Sequence, residues 1–225
     1  LYEKTEAEIA APPGEARGEV RIGGGESYAL LSVAQAARAV QGDHPAVKFN
    51  FFSGDSADVI EKLDKGLLDF GVLIDRTDLS EYVTMRLPAC DVWGVLVRRD
   101  SPLARHESVS AEQLRSAPLI VSRQSRRKGS QLCEWFGGDM GHLNIRAEYN
   151  LIYNATLLVR AGMGCAVTID KLINTSDSDL CFRPLYPKLE TRLDMAWKKH
   201  AVFSRPAQIF LEYMRRGAGF GAGRE

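Results

Sequence analysis

From Gly18 to Ile74 the spacing of apolar residues switches repeatedly between the two-residue period of a strand and the three-to-four-residue period of a helix. Glu19-Val20-Arg21-Ile22 reads as a strand, and Gly23-Gly24-Gly25-Glu26-Ser27 as the turn that follows it. Leu30, Val33, Ala34, Ala37 and Val40 then mark one face of a helix, closed by Gly42 and Pro45. The second round has the same form. Val47, Phe49 and Phe51 alternate as a strand, Gly54-Asp55-Ser56 turns, Val59, Ile60 and Leu63 mark a short helix stopped by Gly66, and Phe70-Gly71-Val72-Leu73-Ile74 reads as a buried strand. Two strand-helix-strand units end to end predict parallel strands, with each helix opening on a small polar residue off a strand's carboxyl end. That is where open α/β sheets hold their ligands, because the free N–H groups of a helix's first turn face the crevice. The pattern points to a binding crevice, not a reaction centre.

Beyond Ile74 the chain alternates less regularly. Val92-Trp93-Gly94-Val95-Leu96-Val97 predicts a strongly apolar strand, and the breaker Asp100-Ser101-Pro102 is the expected first crossing between domains. A second α/β region follows. Ser110-Ala111-Glu112-Gln113 matches a capping box at the start of a short helix, and Pro118-Leu119-Ile120-Val121 reads as a strand. A helix over Ser130 to Phe136 ends at Gly137-Gly138, Ile145 to Tyr149 is a strand, Asn154 caps a helix carrying Leu157, Leu158 and Val159, and Cys165 to Ile169 is a buried strand. Arg192 to Lys198 alternates again, and Pro206 opens a helix with Ile209, Phe210, Tyr213 and Met214 on one face. These last elements need a sheet to cover, so the chain is expected to cross back to the first domain. The expected division is 18–98 with 193–216 as subdomain I and 99–192 as subdomain II. Leu1 to Ala11 reads as the end of a helix that stops at Pro12-Pro13-Gly14, with residues 1–17 as linker end and connector, and Gly217 to Glu225 reads as a disordered tail.

Composition narrows the functional classes. With 225 residues, 45% of them hydrophobic, the chain can bury a sizeable core. Its 29 basic and 29 acidic residues cancel, so no overall electrostatic pull draws it to nucleic acid. No apolar run reaches the length of a membrane span and no signal-peptide form opens the chain, which predicts a cytoplasmic protein without membrane partners. The chain begins at Leu1 and so has the look of a fragment. Cys90, Cys133, Cys165 and Cys181 are scattered without a C-x-x-C pair and read as four buried thiols, with a Cys133–Cys181 redox pair as the alternative. The four histidines are equally dispersed, and neither a metal nor a cofactor is expected.

Apparent catalytic signals dissolve on inspection. Gly25-Glu26-Ser27-Tyr28-Ala29 mimics a nucleophile elbow, but none of the histidines stands at an obvious later strand end. Gly23-Gly24-Gly25 lacks the third spaced glycine of a dinucleotide fingerprint, and the loop has no P-loop lysine. No convergent acid, base and nucleophile emerges, so an enzyme is not expected.

Taken in order, Glu19-Val20-Arg21-Ile22-Gly23, Phe52-Ser53-Gly54-Asp55-Ser56, Leu63-x-x-Gly66-x-x-Asp69, Val97-x-x-x-Ser101-Pro102-Leu103 and Leu158-Val159-x-x-Gly162-x-Gly164 resemble the effector-binding domain of LysR-type transcriptional regulators over residues 18–216. The resemblance implies a periplasmic-binding-protein type II-like α/β fold, two Rossmann-like subdomains joined by two crossing strands. It also implies a winged helix-turn-helix DNA-binding domain ahead of a linker helix, absent from this chain, so that DNA is met only through that domain. Its effector contacts fall at the first helix start, Ser27 and Tyr28, and in the second unit at Asp55 and Ser56. The second wall is Ser122, Arg123, Gln124 and Ser125, with Ile152, Tyr153, Asn154, Gly164 and Thr168. Ser27 also reads as a plain helix cap, and a carboxylate at Asp55 repels an anion unless it is spent as a cap. Arg123, Arg126, Arg127 and Lys128 read either as a positive rim or as a solvated loop. The implied effector is a small polar or carboxylate metabolite held in a cleft between the subdomains. The implied assembly is a homodimer or tetramer, pairing Leu31, Val33, Ala36, Ala39 and Val40 of the first helix with the partner's helix over Ser130 to Phe136. A solute-binding protein of a transport system is the alternative with the same fold.

Overall fold

The structure is a computed structural model that describes residues 16–74 and 79–219. Its elements in chain order are β1 (Gly18–Gly24), α1 (Leu30–Asp43), β2 (Val47–Ser53), α2 (Ser56–Asp64), β3 (Phe70–Ile74), β4 (Tyr82–Arg98), a 3₁₀ turn (Pro102–Arg105), β5 (Val109–Ser110) and α3 (Ala111–Arg115). There follow β6 (Leu119–Ser122), α4 (Gln131–Trp135), β7 (Ile145–Tyr149), α5 (Ile152–Arg160), β8 (Cys165–Ile169), β9 (Leu180–Tyr186), β10 (Glu190–Lys198) and α6 (Arg205–Gly219). These elements form two α/β units. Among the described residues, unit 1 comprises 16–25, Ala29–Ala89 and 193–219, and unit 2 comprises Glu26–Tyr28 and Cys90–Arg192. The chain thus leaves unit 1 inside β4, after Ala89, and returns inside β10, after Arg192. At the breaker expected to mark the first crossing, Ser101 instead caps the 3₁₀ turn by accepting from Leu103 N.

In unit 1, β1 runs parallel to β2 from Gly18↔Val47 to Gly24↔Ser53, and parallel to β3 at Ile22↔Phe70. β10 pairs antiparallel with β3, Leu193 opposite Ile74. The continuous apolar run of β3 has a physical cause. Phe70 and Vаl72 join one core with Val33, Ala37 and Val40 of α1 and Ile209, Phe210 and Met214 of α6, whereas Leu73 joins another with Val59 and Leu63 of α2. A strand covered on both faces has no polar side to show. Phe210 sits against Phe49 and Phe70 at centroid distances of 5.4 and 5.3 Å. The last helix therefore packs on the first unit, as its apolar face required. Gly66, at φ +67°, ends α2 in a left-handed conformation that a side chain would strain.

In unit 2, β6 lies parallel to both β7 and β8, and β4 is antiparallel to β8 and β9. Leu96, Ile120, Ala166 and Leu180 from these strands meet Ile152, Ala155 and Val159 of α5. The capping box at Ser110 and Gln113 is formed in both directions.

Several elements differ from expectation. β4 begins ten residues earlier than the apolar run at Val92, at Tyr82; its first half is interrupted by Arg86, Pro88 and Asp91, and Arg86 is held by an ion pair to Asp194 at 2.6 Å on β10. β5 and β9 are additional strands. Ala34 faces out from α1. Of the four cysteines expected to be buried, Cys90 is exposed, and all four are free, Cys133 and Cys181 included. Residues 217–219, expected in a disordered tail, continue α6. The remainder of that tail, 220–225, and the helix expected over Leu1 to Ala11 lie outside the described residues.

Candidate functional site

The turn after β1 is built around three consecutive side chains, Glu26 to Tyr28, which belong to unit 2 and each engage another residue of it. Glu26 Oε2 accepts from the backbone N–H of Ile152 at 2.6 Å, the first residue of α5. Ser27 Oγ donates to Asp91 Oδ2 at 2.5 Å, with Ser27 and Asp91 8% and 4% exposed. Tyr28 is exposed, and its ring lies 5.1 Å from Lys171 Nζ. The helix following this turn starts at Leu30 with Ala29 as its N-cap and no side-chain capping bond. Of the two readings of Ser27, effector contact and plain helix cap, the cap is not formed: its hydroxyl donates to a buried carboxylate and the helix is capped at Ala29.

α5 carries a second correction. Its N-cap is Leu151, which has no side chain able to accept a hydrogen bond, and Asn154 lies exposed in the first turn and does not cap it. The acceptor that an apolar N-cap cannot supply comes from Glu26, a carboxylate at the positive end of the helix dipole. Tyr149, at the end of β7, ties the neighbouring strands together. Its backbone oxygen accepts from Arg123 N at 3.0 Å and its hydroxyl donates to Val167 O at 2.9 Å. Burial pushes that hydroxyl's pKa well above the ordinary tyrosine range; a hydrogen bond involving Thr168 opposes the shift and the Glu26 carboxylate adds to it.

The remaining expected residues fall as follows. Thr168 is buried in β8, beside a small space of about 10 Å³ that Ile152 and Lys171 also line. Ser122 Oγ accepts from Ser125 N and Ser125 Oγ donates to Ser122 O, a local turn that Ser130 extends by donating to Ser125 O and capping α4. Arg123 is exposed and Gln124 half-buried beside it. Of the basic cluster, Arg126 forms an ion pair with Glu148, which neutralises part of the expected rim. Ile152 is buried and Tyr153 exposed. A Cβ on Gly164 would lie 2.3 Å from Pro118 O, so this glycine serves the close approach of two strands. In unit 1, Asp55 is spent as the N-cap of α2, accepting from Ala57 and Asp58 N, and Ser56 is buried and donates to Ile74 O at 3.0 Å.

On α1, Val33 and Val40 are fully buried in the core of unit 1 and are not available to a partner, which corrects the expected interface. Leu31 and Ala39 are exposed and Ala36 half-buried. Gln35, Ala36 and Ala39 of α1, Met85 and Pro88 of β4 and Tyr213 of α6 line a groove of about 380 Å³ in unit 1.

Sequence reasoning overlooked Asp91, Glu26 as an acceptor, and Lys171. Asp91 left a signal, a carboxylate just before the most apolar stretch of the chain. Lys171 left none, since its position depends on a left-handed residue at φ +66° after β8. Among the described residues no cluster of three or more His, Cys, Asp or Glu could hold a metal ion, and no helix is long and apolar enough to cross a membrane.

A family model described as the LysR substrate binding domain matches residues 13–219. The chain is 23% identical over 212 residues to the uncharacterized HTH-type transcriptional regulator YvbU of Bacillus subtilis (strain 168), covering 93% of this chain and 71% of that protein. Its fold is similar to the effector binding domain of QuiR in complex with shikimate, at a TM-score of 0.77 and 16% identity, covering 91% of this chain and 99% of the other. It is likewise similar to HinK, a LysR family transcriptional regulator from Pseudomonas aeruginosa, at a TM-score of 0.72 and 22% identity, covering 98% and 76%.

Proposed function

The chain belongs to the LysR substrate binding domain family, and from that membership we propose that it senses a small polar metabolite and, through it, controls DNA binding by a helix-turn-helix domain on the same polypeptide. The coarse assignment, an effector-binding domain of a transcriptional regulator with a type II periplasmic-binding-protein-like fold, rests on the family match across residues 13–219. That match is the observation that carries the proposal.

The effector is met by the face of unit 2 that Glu26, Ser27, Tyr28 and the first turn of α5 compose, with Arg123 and Gln124 on the loop after β6. What supports this is that the turn is held by side-chain contacts to α5, β4 and Lys171, so a ligand there would act on all three. A ligand shifts a conformational equilibrium only by its differential affinity for the two states, and these tethers are contacts that can differ between them. Asp55 and Ser56 serve the fold of unit 1 and are left out of the proposed site. The domain works as a homodimer in the cytoplasm, pairing through the outer face of α1 at Leu31, Ala36 and Ala39. A transport solute-binding protein is the weaker reading, because the relative YvbU is named as an HTH-type regulator.

The test is a thermal-shift screen of metabolites against the chain, in which a ligand at 100 times its Kd stabilises by about 2.7 kcal/mol. A compound found in this way should change promoter binding by the intact regulator. A ligand that saturates the domain and leaves promoter binding untouched would overturn the regulatory role.

A further inference from the structure

Among the described residues β7 is the last strand of its sheet, bonded on one side only, to β6. Its five residues, Ile145-Arg146-Ala147-Glu148-Tyr149, alternate between half-buried and exposed. Arg146 and Glu148 stand on the exposed face, while Ala147 and Tyr149 pack toward the core under α5. Alongside runs a groove of about 430 Å³ that Arg126, Met140, Leu143 and the strand residues Ile145 to Glu148 line. A strand edge with room beside it can take a further strand, because its outward N–H and C=O groups have no sheet partner.

The side chains select which strand that is. Arg146 has no ion-pair partner among the described residues, and a register shift between Leu119 and Ile120 leaves it without a residue opposite on β6. Two positions on, Glu148 pairs with Arg126 and keeps acceptor capacity, since an ionised carboxylate accepts about four hydrogen bonds. The edge therefore shows a cation without a counter-charge and a carboxylate able to take a second one. In an antiparallel pair made by a two-fold axis through Ala147, position 146 faces 148 of the second strand and position 148 faces its 146. Two Arg–Glu pairs result on the exposed side, Ile145 meets Tyr149 on the other, and two small alanines meet at the axis. An axis through Arg146 or through Glu148 would set like charges against each other instead. The other free edge, β2, carries Lys48 and no acid to answer Arg146.

We propose that β7 is a self-recognition edge: two copies of this chain join antiparallel, β7 to β7, held in register by two Arg146–Glu148 pairs. The contact is separate from the α1 pairing proposed above. Five residues a side fall short of the roughly 20–30 a side of a stable interface, so the association is weak. In a domain that is already dimeric through α1 it joins dimers into larger assemblies.

Sedimentation velocity on the full chain, from roughly 10 μM to 1 mM, tests this. The wild type is expected to show an association step that strengthens with concentration. Arg146→Glu sets carboxylates across from carboxylates and Glu148→Arg sets cations across from cations, and each should weaken the step by roughly tenfold or more. The double variant restores both pairs in reverse and should recover the step to within about threefold of wild type. Added sodium chloride should weaken wild-type association and strengthen that of Arg146→Glu, because salt screens attraction in the one and repulsion in the other. This salt comparison decides the matter should Glu148→Arg, which also loses Arg126, disturb the strand in circular dichroism. A wild type with no such step, single variants that associate as the wild type does, or a double variant as weak as the singles would each overturn the proposal; the last result would show that β7 meets a different surface. Ala36→Glu, which removes the α1 contact, should leave the step in place, so the two contacts fail independently.

Discussion

Replacing Ser27 by Ala removes one hydroxyl from the hydrogen bond to Asp91 and leaves the backbone of the turn unchanged. Both partners are more than nine-tenths shielded from solvent, so water does not replace the lost donor freely. Hydrogen bonds to charged groups contribute about 1.5–3 kcal/mol net, and the upper part of that range applies when the charge stays buried. Asp91 keeps other interactions, which makes the figure that of one bond and not of the carboxylate's whole environment. For a chain of this size each kcal/mol moves Tm by roughly 2–4 °C, so the expected fall is about 3–12 °C. Urea unfolding followed by tryptophan emission should report it, since Trp93 stands two residues from Asp91. The decisive form is a double-mutant cycle with Ser27→Ala, Asp91→Ala and the pair, where a coupling energy above about 1 kcal/mol is expected for groups in direct contact. A Ser27→Ala variant within about 0.5 kcal/mol of wild type, or a coupling near zero, would refute the reasoning and show that the Ser27–Asp91 bond adds little to stability.

Other outcomes follow from the same geometry. Ala36→Glu should dissociate the proposed dimer without unfolding unit 1, as sedimentation equilibrium and circular dichroism together would show; a wild-type chain that sediments as a monomer at micromolar concentrations rules the dimer out. Val33→Ala, by contrast, empties space in a closed core and should cost about 1.5–3 kcal/mol in urea unfolding whatever the oligomeric state. Gly164→Ala drives a Cβ against Pro118 O, and with little room for the strands to give it should cost roughly 1–3 kcal/mol; an unchanged midpoint would show that β6 and β8 separate easily. Burial pushes the Cys165 thiol up to about 12, so at pH 8 only about one molecule in ten thousand carries the reactive thiolate there. Mass spectrometry after alkylation of the native chain should find Cys90 labelled first and Cys165 labelled only on unfolding.

Much of the fold was legible in residue order because its signals are local. The two-residue and four-residue periods around Val20 and Val33, the glycine after α2, and the Ser110 to Gln113 box each depend on neighbours a few positions away, and each appears where the pattern placed it. The covering of β3 on both faces could likewise be read from its unbroken apolar run. The site was different. Whether Ser27 caps a helix or feeds a carboxylate depends on Asp91, 64 residues away, and the partner of Glu26 lies 126 residues on. No local period carries such information, because a hydrogen bond between distant residues is decided by how strands are brought together. The same holds for α1, where five apolar residues looked alike along the chain. The packing of α6 and β3 against them decides that Val33 and Val40 are core and that Leu31 and Ala39 are surface. Side-chain identity set which positions could be buried; only the tertiary structure assigned each polar group its partner, since a buried donor or acceptor is held by whichever complementary atom the fold delivers within about 3 Å.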